Sequence, residues 1–138
     1  MTPAEKLALA QRSYAALSTG PNIEALHPLN HPEWEFRMGP MGAAFGTESF
    51  RGHDGIRALA SALDEGFEGF AVEIDEAKIT SEGLLLVRGN SHARSRDTHM
   101  ELSIPAFWQE IAFRDDLILS VAQFDGPPPG WDEATPIA

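Results

Sequence analysis

Phe107-Trp108-Gln109-Glu110-Ile111-Ala112-Phe113-Arg114-Asp115-Asp116-Leu117-Ile118-Leu119-Ser120-Val121-Ala122-Gln123-Phe124-Asp125 reads as two strands joined by a tight connection. Successive side chains of a strand point to opposite faces. Phe107, Gln109, Ile111 and Phe113 therefore share one face of the first strand, and Leu119, Val121, Gln123 and Asp125 share one face of the second. A three-residue connection centred on Asp116 pairs Phe113 with Leu119, and hence Gln109 with Gln123. That register sets two amides side by side in an otherwise apolar surface. By the same parity Trp108, Ile118 and Phe124 fall on the outer face. An aromatic patch there calls for a partner, so a homodimer through the outer sheet face is expected.

Working outward, the chain before this hairpin also reads as sheet. Leu84 to Ser95 and Met100 to Arg114 are long strands, and Phe70, Val72 and Ile74 alternate with Ala71, Glu73 and Asp75. On the Leu84 strand, Leu85, Val87, Gly89, Ser91 and Ala93 form the face with room beneath it. His92 then points outward, to the surface or a dimer interface, unless a one-residue bulge reverses the parity. The first half of the chain reads as helix. Thr2-Pro3-Ala4-Glu5 is a helix start with a capping box. Leu7, Ala10, Tyr14 and Leu17 follow helical spacing, so Tyr14 faces inward. Gly20 marks the stop. A short helix spans 22–27, a strand covers Glu33 to Arg37, and a third helix begins near Gly52 with Ile56, Leu59, Leu63 and Phe67 as its apolar stripe. Met38 to Ser49 reads as a mobile loop that gates a pocket or is plain loop.

Helices first and then hairpins is the order of an α+β fold. One domain is expected over 1–126, with 127–138 as an extended tail, since Gly126-Pro127-Pro128-Pro129-Gly130 cannot continue a sheet.

Composition excludes several functions. The 138 residues are 43% apolar and carry a net charge of −11. Ten basic residues against 21 acidic ones cannot form a phosphate-neutralising stripe, so neither nucleic acid nor an anionic membrane is an expected partner. There is no cysteine, which removes thiolate metal sites and a Cys nucleophile. The N-terminus lacks a signal-peptide pattern and no apolar run reaches membrane-spanning length, so a cytoplasmic location is expected.

Three segments carry a resemblance to a known family. They are Tyr14-Ala15-Ala16-Leu17, Phe50-Arg51-Gly52-His53-Asp54-Gly55-Ile56-Arg57, and Phe113-Arg114-Asp115-Asp116-Leu117-Ile118. The chain resembles the SnoaL-like (polyketide cyclase-like) branch of the nuclear-transport-factor-2-like superfamily over residues 5 to 125, and the middle segment is the most specific. The resemblance implies a cystatin-like cone: a curved antiparallel sheet wrapped around about three helices of the N-terminal half, enclosing a pocket. It implies no single activity, because that superfamily holds isomerases, cyclases, dehydratases, hydrolases and non-catalytic binders. The acidic groups of known relatives are replaced here. Arg37 aligns with the base Asp of steroid-isomerase relatives, Gln109 with their second Asp, and Ser13 with their helical Tyr. Gln123 aligns with the acid/base Asp of the cyclases.

The candidate site follows from both readings. Gln109, Gln123 and Tyr14 are the groups expected to orient a ligand or assist a reaction, and Asp125 is the one carboxylate on their face, placed for general acid or base work at the pocket mouth. Trp34, Phe36, Val87, Phe107 and Val121 are the expected apolar lining. The expected ligand is a small hydrophobic molecule, handled without a cofactor. His27, His31, Glu33 and Glu35 lie close in sequence, but nothing orients them as ligands and no metal is expected. His53 is expected to act in local capping. The chain is thus either a cofactor-independent isomerase, cyclase, dehydratase or hydrolase, or a non-catalytic binding or dimeric accessory protein.

Overall fold

The structure, a computed structural model, describes residues 1–18, 22–39 and 49–137, without the side chains of residues 104–106. The stop assigned to Gly20 and most of the loop 38–49 lie outside the described residues. Only the ends of that loop are seen: Met38 is buried and Ser49 opens a strand.

Helix α1 spans Pro3–Leu17. The Thr2 hydroxyl accepts from the Glu5 amide at 3.1 Å, and the Glu5 carboxylate accepts from the Thr2 amide at 2.7 Å. This is the reciprocal cap expected of Thr-x-x-Glu. Helix α2 is a single turn, Ile23–Leu26, followed by the 3-10 turn His27–Leu29. Strand β1 runs Asn30–Arg37, three residues longer than the alternation alone indicates. Its first residue is held by a buried bond from Asn30 Nδ2 to the Leu26 carbonyl at 2.8 Å. Strand β2 is Ser49–Arg51, and helix α3 is Gly52–Gly66. Ile56, Leu59 and Leu63 are buried as its stripe requires. Phe67, assigned to that stripe, instead opens β3, Phe67–Ile79, because the helix ends at Gly66. His53 does not cap α3, whose cap position is Arg51; its Nε2 lies 3.2 Å from the Asn30 carbonyl and its ring stacks on His27.

Strands β4 (Leu85–Ser95), β5 (Glu101–Arg114), β6 (Leu117–Phe124) and β7 (Thr135–Pro136) complete one sheet in the order β2-β1-β6-β5-β4-β3-β7. The expected antiparallel sheet is in fact mixed, since β1 pairs with β6 in parallel. Parallel neighbours need a long crossover, and everything from β2 to β5 supplies it. Helices and sheet enclose one core, in which Leu26, Leu85, Val87, Ile111 and Ile118 are almost inaccessible. Among the described residues no helix is long and apolar enough to cross a membrane.

The β5–β6 hairpin differs from expectation twice. Its connection has two residues, Asp115 and Asp116, with φ of 54° and 61°. Aspartate tolerates this left-handed region, and a two-residue turn with both φ positive matches the twist of a hairpin. Phe113 therefore faces Ile118 rather than Leu119. Ile118 accordingly lies in the core at 2% exposure, not on the outer face. A register shift then occurs, because Ala112 faces Ser120 while Phe113 faces Ile118. Leu119 is the extra residue, a β-bulge. The two differences cancel beyond it, and Gln109 faces Gln123.

The C-terminal segment is not a free extended tail. Turns at 129–134 lead into β7, which pairs with Ile79 and Lys78 of β3. Trp131 is 9% exposed and meets Trp108 edge to face at 5.0 Å. Together with Leu86 and Ala134 it makes a second, smaller apolar cluster on the outer face. The surface from which a homodimer is expected is thus filled in large part from within the chain.

Candidate functional site

The bulges bend the sheet away from the helices at one end. Gly69 takes a φ of +64° within one register shift of β3, and a second shift separates Gly89–Phe107 from Ser91–Ile104 across β4 and β5. Extra residues of this kind curve a sheet. The space left between the helices and the concave face is a cavity of about 380 Å³.

Its wall is apolar. Phe36, Phe67, Phe70 and Phe107 face it from the strands, and Leu59 and Leu63 close it from α3. Its polar groups are few: Tyr14 on α1, Gln109 on β5, Gln123 on β6, and Ser91, His92 and Ser103. A mostly apolar cavity with a few placed polar groups is the usual form of a small-molecule site.

Three of the polar groups form a chain. The Tyr14 hydroxyl donates to Gln109 Oε1, and Gln109 Nε2 donates to Gln123 Oε1 at 2.7 Å. Helical spacing brings Tyr14 to the inner face of α1, where its ring also meets Phe107 edge to face at 6.2 Å. Gln109 is 5% exposed, and both ends of its amide have a partner, as a buried amide requires. Burial pushes the Tyr14 phenol well above its ordinary value of 10.0. Because the folded state holds the proton more tightly than the unfolded chain, this contribution to stability is constant below about pH 10 and declines as pH rises above it. Tyr14 is the single tyrosine, so tyrosinate absorbance at 295 nm reports on it alone. In the folded protein we expect no tyrosinate signal at pH 10, and its appearance only at higher pH, together with unfolding. A half-ionised tyrosine at pH 10 in folded protein would contradict the geometry.

The structure brings together Tyr14, Gln109, Gln123, Phe36 and Phe107 of the expected site. It does not bring Asp125, which is exposed just beyond the end of β6 and does not line the cavity. The alternation that placed it on the inner face ends with the strand at Phe124. Trp34, Val87 and Val121 are also corrected: they are buried in the packed core and do not border the cavity. They belong to the same buried cluster as Leu9, Leu26 and Leu29. The open part of the face is the part that Tyr14 and Leu17 of α1 and Leu59 and Leu63 of α3 look onto across the cavity.

His92, expected outward, is exposed and yet borders the cavity with its neighbours Ser91 and Ala93. The register shifts on both sides of this stretch twist β4 enough for three consecutive residues to reach the space. Met38 and Leu102 line the cavity without having been singled out from sequence. No periodic signal marks Met38, which follows the end of β1. Leu102, 42% exposed, is one residue of a strand whose register shifts. Arg37 and Ser13, which align with catalytic positions of relatives, do not line the cavity, and Arg37 pairs with Glu35 at 3.6 Å. His31 contacts Asp115 at 3.4 Å, and among the described residues no group of three or more His, Asp or Glu converges as a metal site would require.

Comparison with known proteins agrees with this architecture. A protein of Catenulispora acidiphila with a ketosteroid isomerase-like fold, solved with trimethylamine, is 16% identical with a TM-score of 0.69, over 84% of this chain and 83% of that one. TerC, co-crystallised with polyporic acid, is 17% identical with a TM-score of 0.73, over 87% and 90%. An NTF2-like protein of unknown function from Burkholderia pseudomallei is 13% identical with a TM-score of 0.72, over 90% and 91%. At these identities the likeness is one of fold. No curated protein matches the sequence. The profile of the SnoaL-like domain matches residues 10–121, most of the chain, and with the cone and its cavity in place the protein belongs to the SnoaL-like family.

Proposed function

We propose that this protein binds a small, mostly apolar molecule in the cavity, with one polar group of that molecule held by the Tyr14–Gln109–Gln123 chain. The observation that carries the reading is this chain of buried polar groups ending in an otherwise apolar cavity. Two solved neighbours of the same fold hold small organic molecules, which is in keeping with it. Proton transfer to or from carbon needs a group that changes protonation near operating pH. Among the described lining residues there is no carboxylate, the Tyr14 phenol is held neutral, and the imidazole of His92 is exposed at the cavity border, outside the Tyr14–Gln109–Gln123 chain. Binding without catalysis is therefore the better supported form of the proposal.

The test is a pair of variants at the amides. Gln109→Met alone leaves the Tyr14 hydroxyl and the Gln123 carbonyl unpartnered, and is expected to lower stability by roughly 1–3 kcal/mol. Gln109→Met with Gln123→Met removes both amides, is expected to be less destabilising relative to that single change, and abolishes the preference for ligands with a polar group. Urea denaturation and ligand titration read the two effects separately. A double variant that binds such ligands as wild type does places the functional site elsewhere.

A second reading, a cofactor-independent isomerase, cyclase or dehydratase, has one observation in its favour: His92 borders the cavity. Turnover of any bound ketone that His92→Ala removes, with binding retained, would decide for it. We also propose a homodimer, now on the β5–β6 side of the outer face, where Phe124 is half-buried. A single monomeric species in sedimentation at micromolar concentration would overturn it.

A further inference from the structure

The polar chain in the cavity has a direction, and the direction selects the ligand. Among the described residues Gln109 Oε1 is the only hydrogen-bond partner of the Tyr14 hydroxyl. A phenol buried with one partner has to donate to it, because accepting would leave its own proton unpaired at a cost of about 1–3 kcal/mol. Burial also keeps that proton on the oxygen. Gln109 is therefore obliged to turn its carbonyl oxygen toward Tyr14 and its nitrogen toward Gln123, as the 2.7 Å contact from Gln109 Nε2 to Gln123 Oε1 records. Gln123 in turn spends one lone pair of its oxygen on Gln109. The group it leaves wholly uncommitted is its Nε2, with two protons and no lone pair to offer. Among the described residues that nitrogen has no hydrogen-bond partner, while the Gln123 side chain lines the cavity.

We infer that the cavity selects ligands bearing a hydrogen-bond acceptor, a carbonyl oxygen in an apolar frame, with Gln123 Nε2 as the contacting donor and Tyr14 and Gln109 as positioning residues that set its orientation. The inference rests on the ligand-binding reading above and adds the class of ligand. An apolar molecule whose polar group only donates meets the Gln123 N–H protons, finds only the second lone pair of an oxygen already accepting from Gln109, and binds more weakly. A molecule with no polar group leaves the amide unpaired. Neither Tyr14 nor Gln109 needs to touch the ligand for this. Without the tyrosine proton the two amides lose their fixed sense: both can turn over together, keep their mutual bond, and present an oxygen to the cavity instead.

Three rigid tricyclic probes of nearly one shape test this: 9-fluorenone, which accepts; carbazole, whose N–H donates; and fluorene, which does neither. Affinities are read by displacement of 1-aminoanthracene from the full-length protein. Wild type is expected to bind fluorenone about tenfold more tightly than either of the others, the worth of one well-made hydrogen bond. Gln123→Met is expected to bring the fluorenone-to-carbazole ratio close to one. Tyr14→Phe is expected to lower the ratio at least threefold by weakening fluorenone and strengthening carbazole, a shift that simple loss of packing does not produce. Folding of each variant is checked by circular dichroism, and Gln123→Glu serves as the second variant at that position: it replaces the donor with an acceptor and should favour carbazole. If fluorene and fluorenone bind wild type equally, the inference fails, and what stands is the reading of the cavity as a small-molecule site. If Tyr14→Phe leaves the ratio unchanged, the assignment of direction to Tyr14 is wrong. If none of the probes binds, the pocket reading itself falls and the inference with it.

Discussion

Trp131→Ala is expected to destabilise the protein by about 3–5 kcal/mol, the range for removing a large buried aromatic ring. The residue lies in the segment after the last long strand, yet three kinds of contact hold it. Its ring meets Trp108 at 5.0 Å in an edge-to-face pair. Lys78 Nζ stands 4.3 Å from the ring centroid and donates to the Trp131 carbonyl at 3.1 Å. Leu86 beneath it has no accessible surface at all. Truncation uncovers Leu86 and one side of Trp108 at once, so the loss includes burial beyond the indole itself. The pairing of Ile79 with Thr135 and of Lys78 with Pro136, and the bond from the Ile137 amide to the Ala77 carbonyl at 2.9 Å, should loosen with it. Urea midpoints and thermal melts measure the effect, and Trp131→Phe, which keeps a ring against Trp108, should fall between wild type and alanine. A loss below about 1 kcal/mol would mean the segment is only loosely docked. The exposed patch left by the alanine variant should also promote association, visible as a concentration-dependent sedimentation coefficient.

Gly89→Ala is expected to cost roughly 3 kcal/mol or more, and to abolish soluble expression if stability is already modest. A β-carbon at Gly89 would stand 2.1 Å from the Glu73 carbonyl oxygen and 2.8 Å from the Phe107 ring. The first contact is with backbone and cannot be relieved by turning a side chain. Separating β3 from β4 there would break the ladder at the register shift between Ile74 and Glu76. The second contact matters for function, because Phe107 forms part of the cavity wall and would be driven toward the space where a ligand sits. Gly66→Ala is the control. It ends α3, a β-carbon there meets nothing within 4 Å, and stability should stay within about 1 kcal/mol of wild type or rise slightly. Equal stability of the two variants would show that the strands part more easily than the structure implies.

Much of this protein is settled by local physics that a single sequence displays. The capping box at Thr2 and Glu5, the stripe of Ile56, Leu59 and Leu63, and the strict alternation of Phe107 to Phe113 are each encoded within a few residues. Period and capping need no knowledge of the rest of the chain. Helices followed by a run of strands therefore announce the α+β class, and alternation places Gln109 on one face of its strand and Gln123 on one face of the next.

Tertiary structure decided what depends on register, curvature and cover. The two-residue turn at Asp115 and Asp116 and the bulge at Leu119 each shift parity by one, and each is invisible to alternation. Their cancellation keeps Gln109 opposite Gln123 but moves Ile118 into the core. Trp34, Phe36, Val87, Phe107 and Val121 present the same apolar character, and only their tertiary packing decides that Phe36 and Phe107 border a cavity while the other three do not. Asp125 fell outside the site because a strand's end is set by pairing with its neighbour rather than by its own residues. The C-terminal segment was readable as unable to extend the sheet through its prolines. That it folds back to bury Trp131 against Trp108 depends on a surface assembled from β3, β4 and β5, which no stretch of the sequence contains by itself.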